Sequence, residues 1–236
     1  MKNIILSFSL FILCQNINAQ AVSYSDPGQA FLKLNLNNYQ NSMIRIGNYK
    51  VTGTQYLFGN NVKGNFSFGL DKYSDVNLSY NTYNQTVELP NETGNGFLIK
   101  SALEVDSFTM NESTNGVIPE NFNFISSKYF GEKNPVFLLE VYKGNKFTLY
   151  KSYKTDLKIV GSSIGQTDLR EFDLTYEYFY LNSTAAEKKL QKFKTTRSFI
   201  KKEFGTNDSV MQAIMVEDFS ATNQISLTNI FKILNQ

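Results

Sequence analysis

The sequence predicts an α+β protein: a mainly antiparallel β-sheet body followed by a short C-terminal helical segment. Three observations carry this. Apolar residues alternate with polar ones over successive short runs between about Phe66 and Tyr180, the period of strands with one buried and one wet face. The 236 residues include 20 Phe and 14 Tyr but only 4 Pro, a composition that leans towards sheet. Around Thr195 the apolar period changes from two to about 3.6. The predicted division is a signal peptide over 1–19, a β-rich domain over 20–194 and a helical segment over 195–236 packed on it.

The first residues have the layout of a secretory signal. Lys2 gives a positive start, Ile4 to Leu13 is mostly apolar, and Ile17-Asn18-Ala19 ends in a small residue. The apolar run is about half the roughly 20 residues that span a bilayer, so cleavage after Ala19 is expected, with no transmembrane span left. Cys14 follows Leu13, where a lipoprotein signal prefers a small residue. It is the only cysteine, so the mature chain has none and must rest on core burial without disulfides. The expected location is outside the inner membrane: periplasmic, outer-membrane associated or secreted. Seven Asn-x-Ser/Thr sequons (Asn65, Asn77, Asn84, Asn91, Asn111, Asn182 and Asn207) arise easily in so Asn-rich a chain.

Along the body, Asp26-Pro27-Gly28 marks a turn, and Ala30 to Leu36 fits either a strand or a helical turn. Ser42 to Ile46 and Tyr49 to Val51 form short strands about Gly47-Asn48. Phe66, Phe68 and Leu70 alternate, Asp71 to Asp75 turns the chain, and Val76, Leu78 and Tyr80 alternate again, as do Val87 and Leu89. Asn91 to Gly96 is a loop, Phe97 to Lys100 and Val105 to Met110 resume the sheet, and Asn111 to Glu120 is a polar surface loop. Val136 to Tyr153 is the central hairpin. A three-residue loop Lys143-Gly144-Asn145 sets Val141 opposite Phe147 and Leu139 opposite Leu149. After a flexible Gly161 to Gly165 connection, Glu171 to Tyr180 is the most aromatic strand. Phe172, Leu174, Tyr176, Tyr178 and Tyr180 point one way, and Glu171, Asp173, Thr175, Glu177 and Phe179 the other.

Thr195 or Thr196 caps a helix carrying Phe199, Ile200 and Phe204, stopped by Gly205; Thr184 with Glu187 leaves open an earlier start. Asn207 or Asp208 caps a second helix with Met211, Ile214 and Met215 on one face. Ser226 caps a third, with Leu227, Ile230, Phe231 and Leu234 at i, i+3, i+4 and i+7.

The chemistry is bounded by what the chain lacks. With no histidine, Ser-His-Asp and Cys-His catalysis and His-ligated zinc are ruled out; with no mature cysteine, thiol nucleophiles and Cys-held metal go too. No phosphate-cradling glycine motif occurs: Gly94-Asn95-Gly96 lacks the later glycine. A net charge of +2 does not predict a polyanionic partner, and nucleic acid is not expected. No catalytic, cofactor-binding or metal residue is assigned.

Four features keep a bland and a sharp reading side by side. Glu104 with Asp106, and Glu171, Asp173 and Glu177, share strand faces; such carboxylates serve glycoside hydrolysis or simply a solvated face. Asp71, Asp75 and Asn77 offer hard oxygen ligands for calcium or a polar turn. Phe172, Tyr176, Tyr178 and Tyr180 form a platform for sugar rings or a buried sheet face. Lys188, Lys189, Lys192, Lys194, Arg197, Lys201 and Lys202 suit an anionic lipid or acidic polysaccharide, or a solvated surface.

The signal peptide, Gly64-Asn65-Phe66 followed by Tyr80-Asn81, Val105-Asp106-Ser107-Phe108, the Phe137 to Tyr142 strand with Leu149-Tyr150-Lys151, and the Thr195 to Gly205 and Leu227 to Leu234 helices form one pattern. In this arrangement the chain resembles an uncharacterised family of secreted or cell-envelope proteins from Bacteroidetes-type bacteria. The resemblance covers most of the mature chain; it implies a cell-envelope protein and assigns no site residues. The functional expectation is an exported, non-enzymatic protein acting through an envelope protein or polysaccharide partner, by its sheet edge or helical tail. The alternative is a carbohydrate-binding or glycan-processing protein that uses the Tyr strand or a carboxylate pair.

Overall fold

The computed structural model describes residues 44–46, 49–90, 97–112, 120–160 and 169–236. The expected signal peptide with Cys14, the Asp26-Pro27-Gly28 turn, the Ala30 to Leu36 segment, the Asn91 to Gly96 loop and the Gly161 to Gly165 connection lie outside these residues.

Among the described residues one large mixed sheet dominates. Its strands are β1 (Ile44–Ile46), β2 (Tyr49–Thr52), β3 (Tyr56–Phe68), β4 (Asp71–Asn81), β5 (Thr86–Pro90), β6 (Phe97–Ser101), β7 (Ser107–Glu112), β8 (Glu120–Ser126), β9 (Phe137–Tyr142), β10 (Phe147–Ile159), β11 (Leu169–Asn182) and β12 (Leu190–Phe193). Their order is β1-β2-β11-β10-β9-β8-β7-β3-β4-β5-β6, with β12 beside the later half of β11. The pairings are antiparallel except that β2 runs parallel to the start of β11. Three short helices follow: α1 (Arg197–Phe204), α2 (Asp208–Met215) and α3 (Gln224–Leu234). A sheet body with short helices is therefore observed.

The sheet is strongly curled. Between β4 and β9 lie β3, β7 and β8, so in a flat sheet these two strands would stand about 19 Å apart at the usual strand spacing. Yet the Tyr80 ring on β4 meets Phe137 of β9 at 5.5 Å, Phe124 of β8 at 5.3 Å and Phe108 of β7 at 5.4 Å. These rings, with Leu78, Val87, Val105, Met110 and Leu139, fill the space the curl encloses. Hydrogen bonds close it from the other side. The Thr155 N–H of β10 donates to the Thr82 carbonyl at 3.2 Å, the two threonine hydroxyls lie 2.6 Å apart, and Gln85 Nε2 donates to the Tyr153 carbonyl at 2.8 Å. The turn after β4 is thereby fastened across the sheet to β10.

The helices cover a further part of the same face. Phe204, Val210, Ile214, Leu227, Ile230, Phe231 and Leu234 pack on Leu149, Tyr178, Tyr180 and Phe193. Capping sets their starts: Thr196 Oγ1 accepts from the Phe199 N–H, Asn207 Oδ1 from Val210, and Asn223 Oδ1 from Ile225 and Ser226. The third cap is thus Asn223, one turn before the expected Ser226, because the Asn carbonyl reaches two orphan N–H groups. All four apolar positions expected of that helix are buried. Met215, expected on the buried face of α2, is 66% exposed, and Val210 takes its place. The residues after Thr184 do not begin a helix: Leu190–Phe193 pairs with β11 instead.

The hairpin is central, but its register differs from expectation. Leu149 pairs with Tyr142, and Leu139 pairs with Lys151, with a bulge at Leu149/Tyr150. The cause lies in α3. Asn235 Oδ1 accepts from the Lys146 and Phe147 N–H groups (2.7 and 3.0 Å), and its Nδ2 donates to the Phe147 carbonyl. The loop is held over Lys143 to Lys146, and Gly144 lies so close to Asn235 that a β-carbon would collide with it.

The turn expected over Asp71 to Asp75 sits earlier, at Gly69-Leu70. Gly69 takes a φ of 59°, Leu70 is fully exposed, and Asp71 onward is strand. Strand β3 starts ten residues before the expected alternation. Its Phe58 to Asn61 segment bulges out of register, with Phe58 and Asn61 at φ of 62° and 55°.

Replacing Tyr80 by Ala is expected to cost about 3–5 kcal/mol, from the lost ring and the cavity left in the curl. Tyr80→Phe keeps the ring but strands the Gln85 acceptor and should cost about 1–2 kcal/mol. Urea unfolding of both variants checks this; equal losses would contradict the packing role.

Candidate functional site

The two filled regions of the sheet face meet on β10 and β11. Leu149, Lys151, Tyr153 and Thr155 project from alternate positions of β10, opposite Tyr180, Tyr178, Tyr176 and Leu174 of β11. Leu149, Tyr178 and Tyr180 belong to the helix-packed region, and Tyr153 to the curled region. Lys151 stands at the seam.

Its surroundings are aromatic. The Lys151 ammonium lies 4.1 Å from the Tyr176 ring centroid, 4.8 Å from Tyr153 and 5.5 Å from Tyr178. Tyr176 meets Tyr178 and Tyr153 edge-on, at 5.7 and 6.3 Å. From the start of α3, Gln224 Oε1 accepts from the Lys151 ammonium at 3.4 Å and from the Tyr178 hydroxyl at 3.5 Å. Burial pulls the Lys151 ammonium below the usual lysine range and pushes the Tyr178 phenol up to about 12. Ring quadrupoles offset part of that desolvation, by about 0.5–2 kcal/mol.

Lys151 differs from the other unpaired lysines, such as Lys146 and Lys201, in being half-buried where they are exposed. Lys63, Lys100, Lys128, Lys143, Lys154, Lys158 and Lys192 each pair with a carboxylate. Among the described residues no carboxylate pairs with Lys151. Beside it Tyr176 and Leu174 remain half-exposed, at 49% and 47%.

The aromatic strand therefore divides: Phe172, Tyr178 and Tyr180 are buried, and Tyr176 alone of the four platform residues offers an open ring. The carboxylates do not form acid–base pairs. Glu104 sits in a turn, where Lys100 first and the Ser101 N–H second hold its carboxyl below the usual range. Asp106 precedes β7; the Lys128 ammonium and then the Tyr129 hydroxyl lower it. Glu104 and Asp106 thus do not share a strand face. On β11, Asp173 pairs with Lys158 and Glu177 with Lys192. Asp71, Asp75 and Asn77 are exposed along β4, and Asp75 pairs with Lys63. No group of three metal-ligating side chains occurs among the described residues. The basic cluster is dispersed over the segment before β12, β12 itself and α1. Arg197 is tied to the Phe219 carbonyl at 2.7 Å and to the Phe219 ring.

Two other surfaces are open. Strand β6 ends the sheet with Leu98 and Ile99 exposed at 51% and 41%. On the helical tail Met211, Gln212, Met215 and Val216 line a shallow groove of about 450 Å³. No helix among the described residues is long and apolar enough to cross a membrane.

Among the described residues one carboxyl has its pKa raised. Glu88 is 1% exposed and accepts from the Tyr56 hydroxyl at 2.7 Å and the Asn81 amide at 2.8 Å. Burial is the main cause of the rise, and the two hydrogen bonds oppose it. Its alternation with Val87 turns it away from the curled core, beside Ser79, whose hydroxyl accepts from the Asn61 N–H of the β3 bulge. So sealed a group cannot meet a polymer.

Neither Lys151 nor Glu88 was singled out by sequence reasoning. The one available trace of the first was a lysine set among tyrosines in Tyr150-Lys151-Ser152-Tyr153.

The rise at Glu88 predicts a pH effect. Its folded pKa stands above the ordinary value of 4.5, so the native state holds the proton more tightly there. The associated stability is present below that value and is lost as pH rises through the folded pKa. Glu88→Gln removes the titration. The stability of the native sequence relative to this variant should therefore fall from about pH 4.5 upward and then level. Denaturant midpoints across pH check it; parallel curves would contradict it.

In comparisons with known proteins the chain matches no family model, no curated protein and no solved structure.

Proposed function

We propose that this chain is an exported, non-enzymatic protein of the bacterial cell envelope that works by binding a partner. The signal-peptide layout at 1–19 and the resemblance to secreted envelope proteins support the location. The observation that carries the binding reading is the Lys151–Tyr176 seam. It presents a cation without a counter-charge beside a half-exposed ring, on two strands paired to each other along their whole length. Rigid placement of a few side chains is what recognition needs.

The lysine-paired carboxylates support binding over glycan processing. Retaining or inverting hydrolysis needs one carboxyl raised and a second one facing it across the substrate. Here the accessible carboxyls Glu104 and Asp106 are lowered by their lysines, and the raised one is sealed. A second route to a partner is the helical tail, where the Met211 and Met215 groove offers a soft, adaptable apolar surface.

Cross-linking of the tagged protein in intact cells, followed by purification and identification of what is attached, tests the reading. A defined envelope protein or polysaccharide is expected. Its loss in Lys151→Met or in Met215→Asp assigns it to the seam or to the groove. A chain that yields no attached partner would contradict the proposal.

A further inference from the structure

The geometry points to the Lys151 seam as a binding site for an acidic glycan, one that carries a carboxylate on its sugar ring. This rests on the binding reading above and specifies its ligand.

The anion follows from charge. A half-buried ammonium has lost much of its hydration, and cation–π contacts and one long hydrogen bond to Gln224 replace it only partly. An ammonium has three donors, and the described residues supply this one with a single acceptor. A carboxylate held there restores both the counter-charge and the missing acceptors, in a setting where charge-assisted bonds are stronger than in water. Gln224 is exposed at the rim and carries an amide nitrogen as a further donor.

The sugar follows from the rest of the site. Tyr176 is half-exposed, its hydroxyl has no hydrogen bond among the described residues, and Leu174 lies two residues away on the same face. Apolar ring and aliphatic area with polar tips suit the mixed surface of a pyranose, whose C–H patches and hydroxyls alternate. A carboxylate borne directly on that ring keeps anion and apolar face within the few ångströms that separate the Lys151 ammonium from Tyr176.

An acidic peptide is the competing ligand. Peptides that bind sheets gain main-chain hydrogen bonds by adding to an edge strand. At Lys151 strand β10 is interior, paired with β9 and β11, whereas the outer side of β11 is paired only over Leu169–Glu171 by β2 and over Tyr178–Leu181 by β12. The side chains of Lys151, Tyr176 and Leu174 offer a charge and apolar faces, which suits the glycan, and a peptide adding along the short Phe172–Glu177 edge of β11 is the outcome the poly-glutamate arm detects.

The test is titration calorimetry of the mature protein with polygalacturonate, with its carboxyl-reduced neutral form, and with poly-glutamate, each at low and at moderate salt. Polygalacturonate is expected to bind, its neutral form at least tenfold more weakly, and poly-glutamate more weakly than polygalacturonate. Lys151→Met keeps the apolar stem and removes the charge, and should weaken polygalacturonate binding at least tenfold. Tyr176→Ala should weaken it by a similar factor. Tyr73→Ala, an exposed tyrosine on β4, should leave it unchanged, and thermal unfolding of each variant verifies the fold. Equal binding of the neutral polymer, stronger binding of poly-glutamate, or binding unaffected by both seam variants would overturn the inference. So would loss only in Lys201→Gln/Lys202→Gln, which places the polymer on the basic helix surface. In those cases a partner recovered from cells by cross-linking leaves the binding reading standing. No binding here and no partner there removes both.

Discussion

The curl of the sheet is the constraint on which the other features depend. A large open sheet of ordinary twist exposes two broad faces, and one of them here is lined with aromatic rings. Bringing Tyr80 against Phe108, Phe124 and Phe137 folds that face onto itself and removes four large side chains from water. The bend costs regular pairing, and the chain meets that cost at named places: the Phe58 to Asn61 bulge, the left-handed Gly69 turn, and the fastening of Thr82 and Gln85 onto β10. The side chains of Thr82, Gln85 and Thr155 each have a partner in that fastening, so the closure is specific and not merely a collapse.

With Leu174 and Tyr176 left half-exposed, curling covers one part of the face and the helices cover another. Their anchor is polar as well as apolar: Asn235, at the end of α3, grips the β9–β10 loop by its backbone while Phe231 and Leu234 fill the space beneath. Two packing solutions on one face must meet somewhere, and they meet along the middle of β10 and β11. Val141 touches both regions, and Lys151 lies between Leu149 on one side and Tyr153 on the other. A cation at such a junction lies within 5.5 Å of three rings, one of them the half-exposed Tyr176, so the geometry that stabilises the fold also presents the charge.

Legibility in the sequence followed the range of the forces involved. Alternation over Val76, Leu78 and Tyr80, or over Phe172 to Tyr180, is local and reads directly as strand. So do the helices, where Thr196 and Asn207 announce themselves as caps; for the third, Asn223 outcompeted Ser226 because it satisfies two N–H groups. The early half of β3 hid behind Phe58-Gly59-Asn60-Asn61, whose composition reads as loop although the chain passes through as a bulge. Strand β8 was missed beside a polar stretch, and β12 was obscured by Lys192 and the lysines that flank it. The hairpin register depended on Asn235, 88 residues from Phe147, which no local pattern can reveal. The same holds for the candidate site. Strand alternation predicts a wet face for Glu88, which the β3 bulge covers, and Lys151 gains its significance only once the register places Tyr176 and Tyr178 beside it.

The central claim is that Lys151 is seated among Tyr153, Tyr176 and Tyr178 at the junction of the two packed regions. The most direct measurement is the proton chemical shift of the Lys151 ε-methylene in a carbon-edited NMR spectrum of the protein, assigned by the Lys151→Met variant. Stacking over the rings predicts a resonance moved well upfield of the other lysines by ring currents, returning towards them when Tyr176 is replaced by Ala. A Lys151 signal that coincides with those of the exposed lysines would contradict it.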